Sequence, residues 1–135
     1  MSLVYVDTSA LGRLLLDEAE KPLIEQALEA FTRHAASSLL RVELRRLGLR
    51  HNMLDRVDPL LAGVLLVPLG RRIVTTAERL RPSSVATLDA IHLATAVRLS
   101  QAGELNALMT YDKQLATGAL EHGITVLSPG LTSPT

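Results

Sequence analysis

The sequence predicts an α/β fold in which a parallel sheet is covered by helices on both faces. Two observations carry this expectation. Short apolar, β-prone runs alternate along the chain with longer segments of helical spacing, the pattern of strand–helix–strand units. The runs themselves, such as Leu3-Val4-Tyr5-Val6, are apolar throughout and do not alternate with polar residues. Strands buried on both faces need that composition.

The elements follow in order. The first strand covers residues 3–6 and stops at Asp7-Thr8-Ser9, residues suited to capping a helix. Helices are expected over 9–16 and over 22–33, the second with Pro22 in its first turn. A buried strand over 34–37 leads into a helix that Ser37 or Ser38 can cap and that runs through Arg50. A short helix over 57–62, a strand over 64–69 ended by Gly70, and a helix over 71–80 come next. Pro82-Ser83-Ser84 breaks the pattern. A long helix over 87–101 stops at Gly103, a strand covers 107–110, a helix 113–121, and a last strand 124–127. Residues 1–128 are expected to form one domain, and 129–135, rich in Pro, Ser, Thr and Gly, a loose tail.

Composition narrows the function classes. At 135 residues with 47% hydrophobic and 21% charged side chains, the chain has the makings of one globular core. No apolar run is long enough to cross a bilayer, and the N-terminus lacks signal-peptide features, so no membrane role and a cytoplasmic location are expected. The absence of cysteine excludes disulfides and thiolate metal sites. Fourteen basic residues balance fourteen acidic ones, so no global field draws the chain to nucleic acid. Arg41, Arg45, Arg46, Arg50 and Arg56 cluster locally, either as a solvated helix face or as a track for phosphates. With Tyr5, Tyr111 and Phe31 as its aromatics, the chain has no base-stacking platform, and any RNA would be read by backbone and shape.

Four acids stand out. Asp7 and Asp112 follow strands and Asp89 lies in the first turn of its helix, which places all three at the carboxyl edge of a parallel sheet. Glu43 shares a helix face with Leu40, Leu44 and Leu47, where a carboxylate without a positive partner is costly. Each has an ordinary reading: Asp7 and Asp112 as caps, Asp89 as a dipole-complementing acid, Glu43 as a snorkelling side chain. His92, one turn after Asp89, reads as a hydrogen-bonded core residue with Asp89 as its nearest partner. Four coincidences on one edge favour a site. Carboxylates from several segments repel one another unless a hard divalent cation such as Mg²⁺ or Mn²⁺ meets them. Such ions activate water for phosphodiester hydrolysis.

These residues sit in recognisable motifs. Val6-Asp7-Thr8-Ser9-Ala10-Leu11 resembles the opening motif of PIN domains, and Leu40-Arg41-Val42-Glu43-Leu44-Arg45-Arg46 the second. Leu88-Asp89-Ala90-Ile91-His92-Leu93-Ala94-Thr95-Ala96 is similar to the third as it occurs in VapC toxins, and Thr110-Tyr111-Asp112-Lys113-Gln114-Leu115 to the last. The resemblance spans nearly the whole chain. It implies a three-layer α/β/α sandwich around a parallel sheet of about five strands. It also implies an acidic quartet of Asp7, Glu43, Asp89 and Asp112 binding Mg²⁺ or Mn²⁺, with Thr8, Ser9 and Thr110 in support. By the same resemblance the activity is endoribonucleolytic, the substrate RNA, the assembly a homodimer and the inhibitor a VapB-like antitoxin. Leu11, Leu14, Leu15 and Leu16 are more leucine than one buried helix face uses, leaving some for a partner.

Rival readings fit less well. A haloacid-dehalogenase-like enzyme needs a second Asp two residues after the first, where this chain has Ser9, and a receiver-like domain needs a later phosphoacceptor and a partner lysine. A PIN nuclease of RNA processing or decay, or a PIN-fold binding module without activity, are the alternatives within the fold.

Overall fold

The computed structural model describes residues 2–131. Its elements run β1 (Leu3–Val6), α1 (Thr8–Leu15), α2 (Lys21–Glu29), β2 (Arg33–Ser37), α3 (Leu39–Arg50), α4 (Val57–Leu61), β3 (Val64–Val67), α5 (Arg71–Arg79), α6 (Thr87–Gln101), β4 (Ala107–Met109), α7 (Lys113–Glu121) and β5 (Val126–Leu127). A single 3-10 turn, Leu54–Arg56, joins α3 to α4. The five strands form one sheet in the order β3-β2-β1-β4-β5, and every pairing is parallel. α1 to α4 pack on one another as one helical layer, while α6 packs with α5 and α7 in the other. The expected α/β sandwich is what forms.

Strand order decides where a site can lie. From β1 the chain steps outward to β2 and β3, then returns across the sheet to place β4 on the other side of β1. The order therefore reverses between β1 and β4, and the carboxyl ends of these strands splay around a crevice. β1 and β4 are also the best buried strands, all of their residues lying in the core. The site thus grows from the two best-buried strands of the sheet.

Several boundaries differ from expectation. α2 ends at Glu29, four residues early, because Thr32 is clasped to Ser2. Ser2 N–H donates to Thr32 Oγ1 (3.0 Å), Thr32 N–H to Ser2 Oγ (3.1 Å) and Thr32 Oγ1 to the Ser2 carbonyl (2.9 Å), which delivers Arg33 to the sheet. β3 ends at Val67, since Pro68 has no N–H to continue a ladder. β5 starts at Val126 because the Ile124 N–H is used in closing α7, on the Ala119 carbonyl at 3.0 Å. The surplus of leucine on α1 is mostly absorbed by the core: Leu11, Leu14 and Leu15 are buried, and only Leu16 reaches partway to solvent. Of the tail expected to be loose, residues 129–131 are held in a turn. The Tyr111 hydroxyl donates to the Pro129 carbonyl and the Leu131 N–H to the Ser128 carbonyl. Residues 132–135 lie outside the described residues.

The corner after α3 yields a stability prediction. A Cβ on Gly48 would stand 2.8 Å from Val57 Cγ2 and 3.3 Å from both Leu54 Cα and the Met53 carbonyl oxygen. Alanine gains about 1 kcal/mol of helix propensity over glycine. Here the neighbours are backbone and a buried β-branched side chain, so overpacking costing about 1–3 kcal/mol outweighs it. Gly48→Ala is expected to lower the urea midpoint at unchanged slope; a midpoint at or above that of the parent contradicts the packing described.

Candidate active site

Asp7 leaves β1 in an extended conformation and caps α1, with Oδ1 accepting from the Ala10 N–H at 3.3 Å. The same oxygen accepts from Ser9 Oγ at 2.7 Å, and Oδ2 accepts from Thr110 Oγ1 at 2.9 Å. Thr110 Oγ1 also accepts the Asp112 N–H (3.0 Å), and Ser9 Oγ the Tyr111 N–H (2.8 Å). The two hydroxyls therefore stitch the end of β4 to the start of α1 around a carboxylate that is only 3% exposed. Burial raises the Asp7 pKa, against the lowering effect of its hydroxyl donors, His92 and the Ala10 amide. Asp112 caps α7 through the Leu115 N–H at 3.0 Å. The capping roles open to Asp7 and Asp112 are thus real, and they coexist with a shared site.

Asp89, in the first turn of α6, lies close enough to Asp112 to feel its charge. Its pKa is pushed up to about 6, first by burial and then by the charge and hydrogen bond of Asp112, with Asp7 adding to the rise and His92 opposing it. A carboxyl group crowded by like charges holds its proton more tightly when nothing positive separates them. Glu43 sits apart from this pair. Its Oε1 accepts from Thr8 Oγ1 at 2.6 Å and pairs with His92 Nε2 at 2.6 Å. Burial would raise its pKa, but the bonds from His92 and Thr8 bring it below the ordinary value.

Two expectations change here. His92 bonds to Glu43, not to Asp89 one turn away, and Glu43 is met by Thr8 and His92 within the protein. Among the described residues no three His, Asp or Glu side chains stand ready to hold a metal ion as they are arranged. Asp89 feels the charges of both Asp112 and Asp7, while Glu43 is bonded to Thr8 and His92.

The sequence reading passed over Arg13. Its guanidinium lies 4.1 Å from the centre of the Tyr111 ring and pairs with Glu20 at 3.2 Å. It lines, with Thr8, Ser9 and Leu47, a cleft of about 300 Å³. Its position one turn after Ser9 was the available signal. Of the arginine cluster, Arg41, Arg46, Arg50 and Arg56 are exposed, and Arg45 pairs with Asp58. Exposed Val42 and Leu49 lie between them on α3.

The raised pKa of Asp89 sets a pH dependence. The folded protein without metal holds a proton at about pH 6 that the unfolded chain releases near 3.8. The contribution is fully present below the unfolded value, is lost as pH rises through the folded value, and stays lost above it. Stability should therefore fall between about pH 4 and pH 6. Asp89→Asn should flatten that fall and raise the thermal midpoint at neutral pH in EDTA. An unchanged slope in the variant contradicts the carboxylate crowding.

A parallel sheet with acids gathered at the reversal of its strand order defines the class. The chain belongs to the PIN-domain family, whose model matches residues 4–128. Within that family it is similar to VapC ribonucleases. It is 38% identical to Ribonuclease VapC47 of Mycobacterium tuberculosis, over 95% of this chain and 98% of that one. To Ribonuclease VapC46 of the same species it is 32% identical, over 96% and 99%. Among solved structures, a toxin–antitoxin complex from Klebsiella pneumoniae matches with a TM-score of 0.73 at 25% identity, covering 98% of this chain and all of that one. M. tuberculosis VapC20, described as a toxin cleaving the sarcin–ricin loop, shares the fold with a TM-score of 0.67 at 15% identity, over 84% and 93%.

Proposed function

We propose that this chain is an Mg²⁺- or Mn²⁺-dependent endoribonuclease, the toxin of a toxin–antitoxin pair restrained by a VapB-like antitoxin. The observation that carries the reading is the crowding of Asp89 against Asp112 and Asp7 at the reversal point, which holds Asp89 at about 6. A divalent cation in place of the Asp89 proton would relieve that repulsion, and the donors are the hard carboxylate oxygens such ions prefer. Asp7, Asp89 and Asp112 would be the ligands, with Glu43 binding metal or handling protons. When bound, the cation supplies Lewis-acid polarisation of a phosphodiester and an acidified water. Ser9 and Thr110 hold the Asp7 carboxylate in place, and Thr8 and His92 hold that of Glu43. Hydrolysis would use water as nucleophile, without a covalent intermediate. The relatives named ribonucleases support the activity, and the Klebsiella toxin–antitoxin complex supports the partner. Homodimerisation and a cytoplasmic location belong to the same proposal. Among the described residues no helix is long and apolar enough to cross a membrane.

The test is cleavage of a total-RNA pool by purified protein with Mn²⁺ or Mg²⁺, against the same protein in EDTA. Discrete fragments that require the metal are expected. Cleavage indifferent to EDTA overturns the metal role, and no cleavage by folded, metal-loaded protein leaves a binding module as the better reading.

A further inference from the structure

A chain of hydrogen bonds runs from the sheet to Glu43 through groups that the hydrolysis itself does not require. Tyr5 lies two residues before Asp7 on β1, so both side chains leave the same face of the strand. Its hydroxyl is fully buried, accepts the Ser37 N–H at 3.0 Å, and meets His92 Nδ1 at 2.6 Å. His92, 2% exposed, meets Glu43 Oε1 with Nε2 at 2.6 Å.

Donor accounting orders this chain. An ionised Glu43 can only accept, so Nε2 carries a proton. A neutral ring then has a bare Nδ1, and Tyr5, one of whose lone pairs is occupied by Ser37, donates to it. Thr8 and His92 both end on Oε1, which leaves Oε2 without a protein donor among the described residues. The carboxylate is thus anchored by one oxygen and offers the other.

We propose that Tyr5 and His92 are positioning residues for the reaction. His92 fixes the Glu43 carboxylate, and Tyr5 acts through His92 by bonding Nδ1 and so holding the ring in line with Glu43. This rests on the acidic edge being the reaction centre. Without the Tyr5 hydroxyl, Glu43 still keeps the proton on Nε2, but Nδ1 loses its donor and the ring loses one of the two bonds that set its plane. Replacing partners that orient a ligand group typically costs about 10–100-fold in activity or metal affinity.

The experiment is a long-range ¹H–¹⁵N spectrum of the imidazoles in metal-free protein, with His92 assigned through His92→Gln, alongside RNA cleavage kinetics. The parent should show a single Nε2–H tautomer at His92. Tyr5→Phe should keep Nε2–H, move the Nδ1 resonance toward that of a nitrogen without a hydrogen bond, and lower kcat by about 10–100-fold with KM little changed. His92→Gln, which keeps a donor toward Glu43, should retain more kcat than His92→Leu. A parent ring protonated on Nδ1, alone or together with Nε2, overturns the proposal. So does a Tyr5→Phe protein with the parental Nδ1 resonance and kcat, or equal losses in the Gln and Leu variants. The tautomer is read without RNA, so a parent that fails to cut RNA defeats the ribonuclease reading while the spectrum still decides the positioning chain.

Discussion

Asp7→Asn is expected to lower RNA cleavage by at least about 10³-fold, or about 4 kcal/mol of transition-state stabilisation, while the protein stays folded. An asparagine can reproduce the local bonding. Its oxygen takes the Ser9 hydroxyl and the Ala10 amide, and its NH₂ turns toward Thr110 Oγ1, which has a lone pair to accept it. What it loses is charge. Because burial already raises the Asp7 pKa, an ionised carboxylate at neutral pH costs folding energy that a neutral amide does not. The thermal midpoint in EDTA should therefore hold or rise as activity disappears. Cleavage at the parental rate would remove Asp7 from the chemistry. Lost activity accompanied by a large fall in midpoint would mean that Asp7 is chiefly structural.

Thr110→Val is expected to have the largest effect on stability among the site substitutions, a loss of roughly 2–4 kcal/mol by urea denaturation. The two side chains have nearly the same shape, so the packing changes little. The hydroxyl, fully buried, serves two partners: it donates to Asp7 Oδ2 and accepts the Asp112 N–H. A hydrogen bond to a charged group contributes about 1.5–3 kcal/mol, and a buried amide left unpaired costs about 1–3 more. Partial rehydration at the crevice tempers the sum. Asp7, deprived of one donor, should also titrate higher still. Thr110→Ser, which keeps the hydroxyl, should recover most of the loss. A valine variant as stable as the parent would mean that the bonds around Asp7 contribute little.

The acids were legible because each has a local signature: Asp7 and Asp112 follow strands and cap helices, Asp89 opens α6, and Glu43 interrupts a leucine face. Their partners were not. His92 has Asp89 three residues away, yet it bonds to Glu43, 49 positions distant, because the fold brings these side chains of α3 and α6 together. No pattern within either helix encodes that meeting. The same holds for the crevice. Alternating strands and helices announce a parallel sheet, but the reversal between β1 and β4 depends on which way each crossover steps. The missed end of α2 has a similar cause, since the Ser2–Thr32 clasp joins residues 30 apart and overrides a helical pattern that continues to Arg33. Core and element type were written locally; the wiring of the site was written in long-range contacts.

The most direct test of the acidic edge as a metal centre is anomalous diffraction from crystals of the protein grown or soaked with Mn²⁺. An anomalous peak is expected in contact with carboxylate oxygens of Asp7, Asp89 and Asp112, absent from Asp7→Asn crystals treated identically. Clear density for these side chains with no peak among them, at a Mn²⁺ concentration that supports cleavage, would contradict it.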